Sequence, residues 1–232
     1  LFEQFLAAAF TAHPYGQPVV GWASDLRSFS ATDALNFYKQ YYVPANMVVV
    51  VVGDVKPSEV LLLVEKYLGR LPAGPQPPPL RTVEPKQTTE REVVLRETTQ
   101  PFYLEGFHKP DVRHPDNAVY EVIQDLMSTG RTSRLYRSLV RDKKIAAFAG
   151  GFNGFPGPKY PNLFAFFAVP TPGHTPGEIR DAIRVEVERL KSEDVTDEEL
   201  KMVKTRAKAD LIRKLDSNQG LAMELGFAKA NF

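Results

Sequence analysis

Four histidines, His13, His108, His114 and His174, are the only imidazoles the chain could offer to a metal. A catalytic zinc takes three protein ligands and leaves a fourth position open. A helix supplies two of them when H-E-x-x-H, or the inverted H-x-x-E-H, sets two imidazoles one turn apart beside a glutamate base. None of the four stands in either pattern, and His13, His114 and His174 all lie beside or between prolines, where surface or loop-structuring roles are expected. Cysteine is absent, which removes disulfides, thiol nucleophiles and thiolate zinc sites. No G-x-S-x-G elbow occurs, and the stretch Ser128 to Ser133 lacks an elbow's context. Gly150-Gly151 and the Gly154, Gly157 loop have no following lysine-serine pair, so they read as strand bulges and turns rather than a phosphate cradle. The carboxylates Asp197, Glu198 and Glu199 open a helix, complement its dipole and are expected to stay solvated. By residue chemistry alone the sequence contains no catalytic residues and no metal ligands.

The elements that would have to position any site follow from apolar spacing. Leu1, Phe2, Phe5, Leu6, Ala9 and Phe10 describe an amphipathic helix that stops before Pro14. A serine or threonine cap, from Ser30 or Thr32, opens a second helix carrying Ala34, Phe37, Tyr38 and Tyr41, which Pro44 ends. Met47 to Val52 is an unbroken, mostly β-branched run, the pattern of a central strand covered on both faces. Pro57 opens a helix to about Leu68, with Gly69 as its stop. Between Arg70 and Gln87, six prolines and Gly74 exclude helix and interior strand and mark a semi-rigid interdomain linker. Beyond it, Glu90 to Arg96 and Phe102 to His108 read as strands, Pro115 to Met127 and Ser133 to Arg141 as helices. Ile145 to Phe152 and Asn162 to Val169 read as two further strands. Final helices begin at Pro176-Gly177-Glu178 and at Thr196, whose capping box is closed by Glu199. The order is α+β.

The 232 residues, 43% hydrophobic, suffice for one large core or two smaller ones. Net charge is +1, with 29 basic residues scattered among 28 acidic ones, which argues against nucleic acid as a partner. No window approaches the roughly 18 to 20 apolar residues of a membrane span. The chain opens Leu-Phe-Glu-Gln-Phe without an initiator methionine or a signal-like segment, and is expected to be an interior piece of a longer protein.

His13-Pro-Tyr-Gly-Gln-Pro-Val-Val-Gly21, then Phe37-Tyr38 with Tyr41-Tyr-Val-Pro-Ala-Asn-Met47, then Val51-Val-Gly-Asp54, form an ordered series that resembles the M16 peptidases, the pitrilysin and insulinase type. The series continues through Gly106-Phe-His-Lys-Pro110, the Ser133-Arg-Leu-Tyr136 helix and Thr196-Asp-Glu-Glu-Leu200. The resemblance implies two similar α+β domains of the M16/LuxS-type metallohydrolase sandwich, each an antiparallel-rich sheet covered by helices. It implies the end of a first domain at 1–70, a linker at 71–88 and a second, zinc-free domain at 89–232. The zinc ligands of the parent, an H-x-x-E-H and a distal glutamate, are then expected upstream of Leu1, leaving this chain inactive alone. The implied partners are a peptide substrate held in a closed chamber and a second M16 subunit, as homo- or heterodimer; bacterial members of this kind are often exported to the periplasm. The family's substrate-facing arginine and tyrosine, seven residues apart, fall on Arg141 and Phe148. Phenylalanine keeps the ring but lacks the hydroxyl that could donate to a substrate oxygen. The resemblance therefore implies either part of a zinc endopeptidase or a non-catalytic subunit serving as the peptide-holding half of a heterodimer.

Overall fold

The computed structural model describes all 232 residues, and these gather into two compact units. The first comprises Leu1–Gly16 and Glu84–Lys208, the second Gln17–Val83 and Ala209–Phe232. No helix is long and apolar enough to cross a membrane.

In the first unit, α1 (Phe2–Ala9) is followed after residue 84 by β1 (Tyr103–Lys109), α5 (Asn117–Ser128), a π-helix (Tyr136–Asp142), β2 (Ala146–Phe155), β3 (Asn162–Pro170), α6 (Pro176–Ser192) and the start of α7 (Asp197–Leu215). The strands make one antiparallel sheet in the order β1-β3-β2. Pairing Leu104 with Phe167 and Gly150 with Phe167 sends Phe164, Phe166 and Ala168 to one face and Leu163, Ala165, Phe167 and Val169 to the other. Met127, Leu135, Leu139, Ile179 and Ile183 join the first set in the main core, all but sealed from solvent. A smaller cluster of Leu6, Phe10 and Leu163 fixes α1 to one end of the opposite face. The close approach is visible at Gly106, where a Cβ would stand 2.7 Å from the Phe5 ring.

Helix boundaries follow local chemistry. Thr175 accepts from the amide of Glu178 while the Glu178 carboxylate accepts from the Thr175 amide, closing a capping box under Pro176. Thr196 and Glu199 do the same for α7. Glu199, however, is not the solvated end-of-helix carboxylate expected from its setting: its side chain is 14% exposed and takes both arms of the Arg134 guanidinium at 2.9 Å. The contact spans 65 positions of sequence, so no local pattern announces it.

The second unit holds α2 (Ala23–Ser28), α3 (Ala31–Tyr41), α4 (Pro57–Leu68), the end of α7 and α8 (Asn218–Asn231). Ser30 caps α3, and Asp33 reaches back to complete a capping box that sequence reasoning missed. Met47 to Val52 does not become the expected central strand, nor does Glu90 to Arg96 in the first unit become one. Both run without a hydrogen-bonded neighbour. A strand is completed by a ladder, not by its own composition, and the second unit contains no other strand to supply one. Val48, Val49 and Val51 consequently remain about half exposed.

Candidate functional site

Arg141 sits in the last turn of the π-helix, whose widened winding is marked by the Lys143 amide donating to Ser138 five residues back. This helix packs on β2, the strand that carries Phe148. The Arg141 guanidinium is exposed and engages Asp142 through two bonds, Nε to Oδ1 at 2.6 Å and Nη2 to Oδ2 at 3.0 Å. That pairing raises the arginine and lowers the aspartate from their ordinary values, so both stay charged. Phe148 lies opposite Val169 on the sheet face turned away from α5 and α6, and its side chain is 50% exposed. Its ring stands 6.0 Å from Phe167, which in turn meets Phe102 at 5.7 Å and Phe2 at 6.4 Å. The two positions are thus on adjoining elements, but Arg141 takes a carboxylate and Phe148 an aromatic band, and neither side chain contacts the other among their polar and aromatic partners.

The band of Phe2, Phe102, Phe148 and Phe167 leaves part of the sheet's outer face open and apolar. Such a face offers edge and stacking contacts to aromatic or aliphatic side chains, at about 0.5–1.5 kcal/mol per well-placed aromatic pair beyond burial. It supplies no general acid, base or nucleophile.

Zinc finds no fit among these residues. No group of three or more His, Asp or Glu side chains is gathered closely enough to hold a metal. His13 is 5% exposed; its Nδ1 accepts from the Tyr15 amide at 3.1 Å, and its Nε2 is walled in without a partner by Tyr15, Tyr160 and Phe10. His108 Nε2 faces the Ala9 carbonyl at 3.0 Å, His114 Nδ1 the Asp116 amide, and His174 Nδ1 the Glu178 carboxylate. His13, His114 and His174 each bond within a few residues of themselves, while His108 ties β1 to α1.

Sequence reasoning also missed Glu84, one of the most strongly perturbed carboxylates of the unit. Its oxygens accept from the amides of Thr11, Ala12 and His13 at 2.8–2.9 Å and from the Thr11 hydroxyl. Desolvation works to raise this carboxyl, but the donors outweigh it and bring it down to about 2. His13 is held below its ordinary value by desolvation, against the pull of Glu84. Both shifts have the same sign for stability. Glu84 contributes fully above its free value of 4.5, and that contribution drains away as pH falls toward 2; neutral His13 contributes above 6.5 and is lost on acidification. The urea midpoint of the chain is therefore expected to fall steadily from pH 7 to pH 3. Glu84→Gln is expected to cost about 1–2 kcal/mol at pH 7 and to flatten the acid limb below 4.5. An unchanged midpoint across that range would show that the Glu84 cradle does not form.

Comparison with known proteins gives these features a setting. Residues 28–207 match the family model described as the peptidase M16 inactive domain. The chain is 30% identical over 229 residues to the zinc protease PqqE of Helicobacter pylori, covering 96% of this chain and 50% of that protein. It is 26% identical to an uncharacterized zinc protease of Mycobacterium leprae, of which it covers 52%. Among solved structures, a protease from Helicobacter pylori superposes with a TM-score of 0.92 at 28% identity, over 100% of this chain and 56% of that one. A peptidase M16 inactive domain from Pseudomonas fluorescens superposes at 0.79 and 20% identity, over 98% of this chain and 53% of that one. The chain spans about half the length of the relatives it matches. With most of its residues inside one family model and its α+β fold shared with solved members, this chain belongs to the peptidase M16 family, in the part described as the inactive domain.

Proposed function

We propose that this chain is a zinc-free part of an M16-type zinc endopeptidase and provides one wall of a chamber in which peptides are held for cleavage. The observation that carries the reading is the open aromatic face at Phe148, next to the helix bearing Arg141, on a domain of the inactive type. In this reading residues 1–70 end a first domain, 71–88 link, and 89–232 belong to the second; residues 72–88 form neither helix nor strand, in keeping with a linker. Zinc belongs to the longer protein and is held by ligands outside this chain, as the naming of its relatives as zinc proteases supports. Arg141 would steer a carbonyl or carboxylate of the peptide, releasing Asp142, while Phe148 and Phe167 would hold an apolar side chain by contact.

The 232-residue chain is expected to carry no stoichiometric zinc and to cleave no peptide. Metal analysis with a peptidase assay checks this, and chelator-removable zinc accompanied by activity would overturn it. For the longer protein, an H-x-x-E-H with a downstream glutamate is the decisive feature; its absence would end the endopeptidase reading.

Phe148 itself favours a second reading. Without the hydroxyl, a donor whose loss at an oxyanion site costs about 100- to 1000-fold in rate is missing. The longer protein would then be a non-catalytic subunit, the peptide-holding half of a heterodimer. Co-purification of a separate zinc-bearing M16 partner is its expected result, and recovery as an active single species would exclude it.

A further inference from the structure

A groove of about 1870 Å³ in the first unit is lined by β1 and by the stretch from Glu84 to Phe102. Along that stretch Glu90 and Arg91 alternate in direction as residues of a strand would. Glu90 reaches α6, where it accepts from Arg184, while Arg91 reaches α1, where it donates to the Ala8 carbonyl at 2.7 Å. β1 sends Glu105 to the same Arg184 and His108 to the Ala9 carbonyl on the α1 side. Yet no backbone hydrogen bond joins the stretch to β1. One bridge on each sheet face thus holds two extended edges apart, both with peptide groups unpaired.

We propose that this groove is a strand-acceptor site that takes a single extended, apolar, β-branched segment and pairs it on both sides. A seven-residue strand, matched to Tyr103–Lys109, rises about 23 Å, needs about 4.8 Å across the hydrogen-bonding direction and about 10 Å between faces, roughly 1100 Å³. The groove's volume exceeds that. A strand inside the sheet would be covered by Phe5 and Ala9 of α1 on one face and Val187 of α6 on the other, all of which line the groove. Coverage on both faces calls for an unbroken apolar run rather than an alternating one. The peptide groups gained on each edge turn unpaired donors and acceptors into ladder bonds, each worth about 0.5–1.5 kcal/mol net.

The occupant is a resident strand of the same protein, not a passing substrate. One bridge crosses the groove on each face, Arg184 to Glu90 and Arg91 to the Ala8 carbonyl, which suits a segment held there as part of the fold. Polypeptide to provide it exists in the relatives, where the match takes up 50% of the Helicobacter pylori zinc protease and 56% of the solved protease chain. The inference stands apart from whether the protein cleaves peptides.

This chain contains one run of the required type, Met47 to Val52, and a synthetic peptide of residues 45–55 flanked by lysines serves as the probe. Hydrogen exchange on the 232-residue chain is expected to show the amides of 90–96 and the outward amides of 103–109 slowing together, by about tenfold or more, at one peptide per chain. The same peptide with Val49→Pro should protect neither edge. Protection of one edge alone would mean simple edge addition and sink the proposal, as would no protection at all. Equal protection by a polar peptide would make the groove a general peptide site and reject the resident strand. Protection that rises with chain concentration and no peptide would assign the groove to a second copy and reject it too.

Discussion

Glu199→Ala is expected to destabilise the chain by about 3–5 kcal/mol, read as a drop in the urea midpoint and a melting temperature lower by roughly 6–20 °C. Arg134 is 6% exposed and Glu199 14%, so removing the carboxylate leaves a nearly buried guanidinium without its hydrogen-bonded counter-charge. Arg134 Nη1 already lacks a partner, and Arg137, 3.6 Å from Glu199, adds a second cation to the same point. The substitution also removes half of the capping box that starts α7. Hydrogen bonding from Arg134 holds Glu199 at about 2, against desolvation, so the pair's contribution is complete above 4.5 and fades as pH falls toward 2. The double variant Arg134→Met with Glu199→Leu is expected to recover most of the loss, since neither buried charge then remains. A loss below about 1 kcal/mol for the single variant would show the pair to be solvated.

Leu139→Ala should cost about 2–5 kcal/mol, the second large effect. Leu139 lies on the π-helix, is sealed from solvent and packs in the cluster of Met127, Leu135, Ile179 and Ile183 beneath β2 and β3. Leu139→Met, which nearly conserves volume, should cost less than about 1.5 kcal/mol. Leu62→Ala on α4, where the side chain is exposed, should stay within about 0.5 kcal/mol. Equal losses at Leu139 and Leu62 would mean that the core is not where the burial places it.

Local signals carried much of the fold. The Thr196–Glu199 capping box is legible in the sequence and opens a helix, as do the expected cap before α3 and the start at Pro176; the structure adds the Ser30–Asp33 and Thr175–Glu178 boxes. The strands at 146–155 and 162–170 are legible in the sequence as a Phe- and Gly-rich pair at 145–152 and 162–169. What failed was whatever depended on a distant partner. Met47 to Val52 and Glu90 to Arg96 have strand composition, but pairing is a property of two segments. His13 looked like a loop histidine and is one, yet its burial depends on Tyr160, far along the chain. Arg141 and Phe148 could be named only by resemblance, since an exposed arginine beside an aspartate and an exposed phenylalanine carry no chemistry of their own.

The Glu84 cradle has a topological consequence. By gripping Thr11 to His13, it brings residue 84 back to within hydrogen-bond reach of the point where the chain leaves α1. Residues 17–83 therefore leave the first unit and return to it at one spot. Closing a flexible loop of that length costs about 3.8 kcal/mol in chain entropy beyond a constant, which the cradle and the Leu6, Phe10 and Leu163 cluster offset. A protease cut within residues 72–80 would then sever the backbone without freeing the amino-terminal helix. The two products should elute together on gel filtration and separate only in denaturant, while elution of α1 as a free peptide would show that the cradle does not hold.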